Sequence, residues 1–162
     1  MEKDKQEIEK LKKEYKIIKD NYNLPDFKTL NEDFHIEKVA EVETEILIRE
    51  VRKFIADKML NYMRFLENLL NPVNVPMYIF SIIKLLSVEE KKTISEIYQK
   101  LVKKEIQFIE LDLEFNEEKE AEFIKNMFDR FNESRFDILK VIEKMGNGEG
   151  KKVEDKSRSY FG

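Results

Sequence analysis

The chain of 162 residues is long enough for one domain to bury a single core, and it contains no cysteine, which excludes disulfides, thiolate zinc sites and cysteine nucleophiles. Its 30 basic and 34 acidic residues give a net charge of −4, so no overall positive field favours nucleic acid. All four glycines follow residue 145, which excludes phosphate-binding loops, dinucleotide-binding turns and nucleophile elbows from the chain before them.

The first predicted element is an amphipathic helix over residues 5–22. Its apolar positions recur at spacings of three and four: Ile8, Leu11, Tyr15, Ile18 and Tyr22. Leu24-Pro25 ends this helix, because the residue before a proline is disfavoured in the helical conformation. We expect residues 1–24 to form a peripheral helix that either docks loosely or pairs with a second copy, and residues 25–145 to form the helical core domain.

The first seven residues are charged where a signal peptide would be apolar. No stretch approaches the roughly 20 apolar residues that a membrane span needs. The sequence therefore predicts a cytoplasmic protein with no membrane partner.

A linker or short turn of helix over residues 26–32 is predicted next, followed by one long helix from Asp33 to the Asn71-Pro72 break. The following segment, residues 76–86, carries apolar side chains on nearly every side of a helix. Helices that are apolar all round are usually buried, so we predict that this segment is the central helix of the core. The alternative is a partner-binding surface.

Two further helices are predicted towards the end of the chain. Ser87 and Glu90 have the spacing of a capping box and open the first of them. Residues 109–115 alternate with period two, which we interpret as the end of that helix fraying into an extended connection. Asn116 caps the last helix, which runs to residue 145, and residues 146–162 should form a flexible tail. The predicted fold is all-α, an irregular bundle of four to five helices with a short buried central helix and a disordered C-terminal tail.

Few residues suggest catalytic chemistry. His35 is the only histidine, so two-histidine metal motifs cannot form within one chain, and we interpret it as a partly buried structural residue. Acidic pairs at helical spacing, such as Glu41 with Glu45, are expected by chance among 34 acids. We predict no catalytic residue, no cofactor and no metal site.

Two charged stretches are candidate binding surfaces. A basic face of the long helix could contact phosphates, although nearby acids favour internal ion pairs: Arg49, Arg52, Lys53, Lys58 and Arg64. An acidic stretch could bind a basic partner segment or a divalent cation, or be neutralised within the fold by the basic face: Glu105, Glu110, Asp112, Glu114, Glu117 and Glu118. Several of these acids lie at the end of a helix, where the helix dipole disfavours negative charge.

The end of the chain supplies a third candidate. Residues Glu154, Ser157, Tyr160 and Phe161 resemble the sliding-clamp-binding box, a short peptide that ends in an aromatic pair. The likeness covers about eight residues and departs from the box where Glu154 replaces a glutamine and Ser157 replaces an aliphatic residue. The resemblance implies that Tyr160 and Phe161 are anchors for a replication partner.

The leading hypothesis for function is a non-enzymatic interaction or scaffold protein, bound to another protein or to itself through the first helix. The alternative is a nucleic-acid or replication accessory factor that uses the basic face and the tail. A carboxylate-rich metal enzyme is a third hypothesis.

Overall fold

The computed structural model describes residues 2–73 and 75–148, and every regular element within them is a helix. The prediction of an all-α fold is confirmed. Six α-helices and one 3₁₀ helix follow in this order: α1 Glu2–Tyr22, α2 Phe27–Phe34, the 3₁₀ helix Ile36–Glu41, α3 Leu47–Leu70, α4 Met77–Ile83, α5 Val88–Leu113 and α6 Glu117–Gly148. None of these helices is both long enough and apolar enough to cross a lipid bilayer.

Helices α3, α5 and α6 form the centre of the core. Early α3 meets early α6 where Arg52 contacts Glu120, and later α3 meets later α6 where the rings of Tyr62 and Phe131 stack, so the two helices run parallel. Arg52 also contacts Asp112 near the end of α5, which therefore runs antiparallel to both. We call the end of the bundle that holds the start of α3, the end of α5 and the start of α6 the upper end.

Helix α1 packs on the 3₁₀ helix, α3 and α2 through its apolar seam. Leu11 and Tyr15 are buried, and the Tyr15 hydroxyl donates a hydrogen bond of 2.7 Å to the carbonyl oxygen of Pro25. At the upper end, the Tyr22 hydroxyl donates to the Glu117 carboxylate. That the remaining chain folds without α1 stays a prediction.

The prediction of one long helix from residue 33 is wrong, because the chain breaks twice before α3 begins. His35 ends α2 with a φ of 55° and a ψ of 42°, a left-handed conformation that a helix cannot continue. The Asn31 side chain holds the break, since it accepts from the Glu37 backbone N–H at 2.8 Å and donates to the Glu37 carboxylate at 2.7 Å. His35 is exposed, so its predicted partial burial is wrong, and its structural role is that of the residue at which α2 stops.

The prediction of a buried central helix at residues 76–86 is also wrong. Helix α4 covers Met77–Ile83 only, and it lies at the lower end of the bundle, where it connects α3 to α5 and packs against α6. Ile83 and Leu86 are buried, but Met77 is 80% exposed and Phe80 is 37% exposed. Helices α3, α5 and α6 already fill the core with one another's side chains, so α4 is left at the edge.

The starts of the last two helices were predicted correctly, but their ends were not. The capping box is confirmed: Ser87 Oγ accepts from the Glu90 backbone N–H at 3.1 Å, and the Ser87 N–H donates to the Glu90 carboxylate at 2.6 Å. Asn116 caps α6 by accepting from the Lys119 backbone N–H at 2.9 Å. The predicted fraying of residues 109–115 is wrong up to Leu113, where α5 ends, and α6 continues past residue 145 to Gly148.

Candidate interaction surface

A buried ion cluster joins α3, α5 and α6 at the upper end. Arg52 is fully buried, and its Nε donates to Glu120 Oε2 at 2.6 Å while its Nη2 donates to Asp112 Oδ1 at 2.8 Å. Its Cζ also lies 4.9 Å from the centroid of the Phe108 ring, in cation–π geometry. A buried charge is costly unless it is paired, so the cluster stabilises one particular arrangement of the three helices.

Burial and pairing act against each other in this cluster. Burial lowers the pKa of Arg52, but the hydrogen bonds to Glu120 and Asp112 and the negative charges of these two carboxylates together outweigh burial and raise that pKa overall. Burial raises the pKa of Glu120, and the hydrogen bond from Arg52 opposes the shift. Because a guanidinium stays protonated in proteins, Arg52 carries its charge into the core and needs the Glu120 carboxylate beside it.

The basic residues predicted to form one face are largely engaged by the protein itself. Arg52 is buried, and Lys53 pairs at 2.8 Å with a glutamate one turn earlier. Lys58 donates to a backbone carbonyl oxygen at the end of α2, and Arg49 Nη2 donates at 2.9 Å to a backbone carbonyl oxygen near the end of α5. Arg64 is exposed. Arg52 is therefore inaccessible to a phosphate, and the other residues do not converge on one open surface.

The predicted acidic residues fall into two groups. Three contact or border the folded core: Glu105, Asp112 and Glu117. Three others are exposed: Glu110, Glu114 and Glu118. The internal neutralisation considered from the sequence thus applies to Asp112, which contacts Arg52, and not to the exposed group.

An open cleft of about 680 Å³ lies between the end of α5 and the start of α6. Its walls combine exposed apolar side chains with carboxylates, and we call it the acidic cleft: Ile106, Glu110, Leu113, Glu114 and Glu122. Ile106 is 64% exposed and Leu113 is 84% exposed. Lys103 and Lys119 also line it, so acids outnumber bases by three to two among its charged residues.

Two of the three acids of the cleft are poorly placed for stability. Glu110 and Glu114 lie at the C-terminal end of α5, where the helix dipole disfavours negative charge. Among the described residues, neither forms a salt bridge. Exposed apolar groups that adjoin uncompensated charge typify surfaces that bind a partner.

Sequence reasoning missed three residues of this region. Glu120 was counted as one acid among many, although it is the buried partner of Arg52. Ile106 was given no role and Leu113 was assigned to a frayed helix end, although both are exposed. The signal was present in the alternation of residues 109–115, since a helix that carries apolar residues with period two must expose some of them.

The remaining candidate sites are the C-terminal tail and a possible metal site. The predicted tail anchors Tyr160 and Phe161 lie outside the described residues, as does the rest of the chain after Gly148. Within the described part of the chain, no three carboxylate or histidine side chains are grouped so as to hold a metal ion. Comparisons of the chain with protein-family models, with curated proteins and with solved structures find no match.

Proposed function

We propose that this chain is a non-enzymatic interaction protein, and that its acidic cleft binds a basic segment of a partner protein. The observation that supports this proposal is the combination, in one cleft, of exposed Ile106 and Leu113 with the carboxylates of Glu110, Glu114 and Glu122. Apolar side chains supply the binding energy when they are buried, and the acids select a partner of positive charge.

The spacing of the apolar residues indicates the shape of the partner segment. Ile106 and Leu113 are seven residues apart on α5, which places them two turns, or about 10.5 Å, apart along the helix axis. A partner helix with apolar residues at positions i, i+3 or i+4 and i+7 matches that separation. Lysine or arginine on its flanks would meet the carboxylates on either side.

The charges of the cleft are solvent-exposed, so they should act on association rate and on salt dependence more than on the strength of the apolar contact. Affinity should therefore fall as ionic strength rises. It should fall further when the carboxylates are neutralised.

Binding can be measured by fluorescence anisotropy with a labelled synthetic helix that carries leucines at i, i+4 and i+7 between lysines. We expect Glu110→Gln with Glu114→Gln to weaken binding about tenfold, which corresponds to about 1.4 kcal/mol. Leu113→Gln should weaken it as well, because the exposed leucine would lose its apolar contact. A scrambled peptide of the same composition should bind poorly to the unaltered protein.

A matched control is available on α1. Glu9→Gln with Glu14→Gln makes the same change in net charge on an exposed face outside the cleft. Equal weakening by the control pair would mean that net charge alone attracts the peptide. Unchanged affinity in both the cleft pair and Leu113→Gln would exclude the cleft as the binding site.

A further inference from the structure

The lower end of the bundle carries a second exposed apolar surface, which we call the α4 end. Its side chains lie in and after α4: Met77, Phe80, Lys84, Leu85 and Val88. Met77 is 80% exposed, Leu85 is 50% exposed and Val88 is 85% exposed. Lys84 Nζ lies 4.7 Å from the centroid of the Phe80 ring, so a cation sits on the apolar surface itself.

The charge of the α4 end is opposite to that of the acidic cleft. Lys84, Lys91 and Lys92 are exposed here. Glu90 is already engaged, because its carboxylate accepts from the Ser87 N–H and from Lys144 Nζ. That leaves Glu89 as the one exposed acid among residues 75–92. The α4 end thus has the chemistry expected of the cleft's partner: large exposed apolar side chains beside lysines.

We propose that the partner of the acidic cleft is a second copy of this chain, which inserts its α4 end. This inference rests on the proposed function, since it names the occupant of the same cleft. Insertion would bury Leu113 against side chains such as Val88, and both are at least 84% exposed in the single chain. Lys84 would then meet Glu110 and Glu114.

The geometry requires two molecules. Helix α5 contains 26 residues, so its two ends lie about 39 Å apart at 1.5 Å per residue. The α4 end adjoins the first turn of α5 and the acidic cleft lies at its last turns, so one chain cannot bring its own two surfaces together. A contact between different surfaces on successive copies is heterologous, and it builds a chain of molecules or, if the rotation closes, a ring.

Sedimentation velocity of the full chain over a range of concentrations tests the inference. We expect the average molecular mass to rise with protein concentration beyond that of a dimer, and to fall when salt is added. Leu113→Lys with Glu114→Lys blocks the cleft, while Lys84→Glu with Val88→Glu blocks the α4 end, and each double variant alone should be monomeric. Leu113 and Glu114 lie at the end of α5, where lysine is favourable, and Val88 opens α5, where glutamate is favourable. Lys84 follows the end of α4 and is exposed, so circular dichroism melting checks that Lys84→Glu keeps the fold.

Mixing the two variants gives the decisive measurement. Each retains the surface that the other lacks, so the mixture should assemble although each variant alone is monomeric. Lys13→Glu with Lys16→Glu changes the net charge by −4 on α1, against −3 for the variant of the α4 end, and should leave assembly as it is in the unaltered chain. A mixture that stays monomeric, or assembly that persists in either blocked variant, would overturn the inference.

Two outcomes separate this inference from the proposed function. A chain that is monomeric at all concentrations but still binds the leucine-lysine helix would retain the cleft as a binding site and reject the second copy as its occupant. The second outcome is tested with vesicles that contain phosphatidylserine. If the chain is monomeric and binds these vesicles, and if the variant Lys84→Glu with Val88→Glu does not bind them, the α4 end would be assigned to a membrane surface. That result would overturn self-assembly.

Discussion

The buried ion cluster and the acidic cleft draw their acids from the same short stretch of chain, yet the fold uses them in opposite ways. Asp112 reaches inward to Arg52, whereas Glu110, two residues earlier, and Glu114, two residues later, face the open cleft. Glu120 is fully buried and Glu122 is exposed. Within one acidic stretch, therefore, some carboxylates hold helices together and others are left for a partner. Stability measurements should separate the two groups.

The largest loss of stability is expected from a substitution at Glu120. Glu120→Ala would leave the Arg52 guanidinium in the core without its closest carboxylate, and removal of one member of a buried pair costs about 3–5 kcal/mol. Urea unfolding at neutral pH measures the loss. Glu122→Ala, on the same helix but exposed, should change stability by no more than about 0.5 kcal/mol. Similar small effects from both substitutions would show that the buried pair contributes little.

A comparable difference in stability loss is expected between a substitution in the core and one at the α4 end. Leu66 is fully buried in α3, so Leu66→Ala should cost about 2–5 kcal/mol through lost burial and the cavity it leaves. Phe80 is 37% exposed, and Phe80→Ala should cost clearly less. Thermal melting of the two variants compares them, and a Phe80→Ala loss as large as that of Leu66→Ala would place α4 in the core after all.

The elements predicted correctly from the sequence are those whose signals are local. The apolar seam of α1, the capping box of Ser87 with Glu90 and the Asn116 cap each depend on residues within one or two turns, so the sequence contains the whole signal. The break at His35 was missed because a histidine, with no glycine or proline nearby, takes the left-handed conformation there.

The remaining errors of prediction arose where the structure depends on contacts between residues that are far apart in the sequence. The apolar pattern of residues 76–86 does not record that three other helices already fill the core, so the segment was placed inside it. For the candidate site, the acids could be counted from the sequence, but which of them faces Arg52 depends on α3, α5 and α6 meeting at one point. The cleft likewise exists only once α5 and α6 have packed.

An intermediate loss of stability, which depends on pH, is expected from a substitution at Glu90. This residue links the start of α5 to α6 through Lys144. Hydrogen bonds from Lys144 and from the Ser87 backbone lower the pKa of Glu90 to about 2. A carboxyl whose pKa is lowered in the folded state stabilises the fold above its unfolded pKa of 4.5, and this contribution is lost as pH falls from about 4.5 towards 2. Glu90→Gln should therefore lower the melting temperature at pH 7 and make little difference near pH 2.

Lys144→Met distinguishes the two hydrogen bonds of Glu90. It removes the contact to α6 and keeps the capping box, whose loss costs about 0.5–2 kcal/mol in proteins. A melting temperature between those of the unaltered protein and Glu90→Gln is expected at pH 7. If the difference between Glu90→Gln and the unaltered protein were the same at both pH values, ionised Glu90 would not be the source of the stability.

The smallest change in stability is expected from substitutions in the acidic cleft, and the sign of this change is informative. Glu114 is the residue that follows the last turn of α5, and its carboxylate lies near the negative end of the helix dipole. Glu114→Gln removes that repulsion, so it should raise stability by about 0.3–1 kcal/mol at low ionic strength, and added salt should reduce the gain. Asp112→Asn, two residues earlier, should instead lower stability, because it weakens the contact with Arg52. A loss of stability in Glu114→Gln equal to that in Asp112→Asn would mean that both carboxylates serve the fold. A small gain in Glu114→Gln, together with weaker binding when Glu110→Gln is added, would show that the chain keeps these acids at a cost to stability for the sake of a partner.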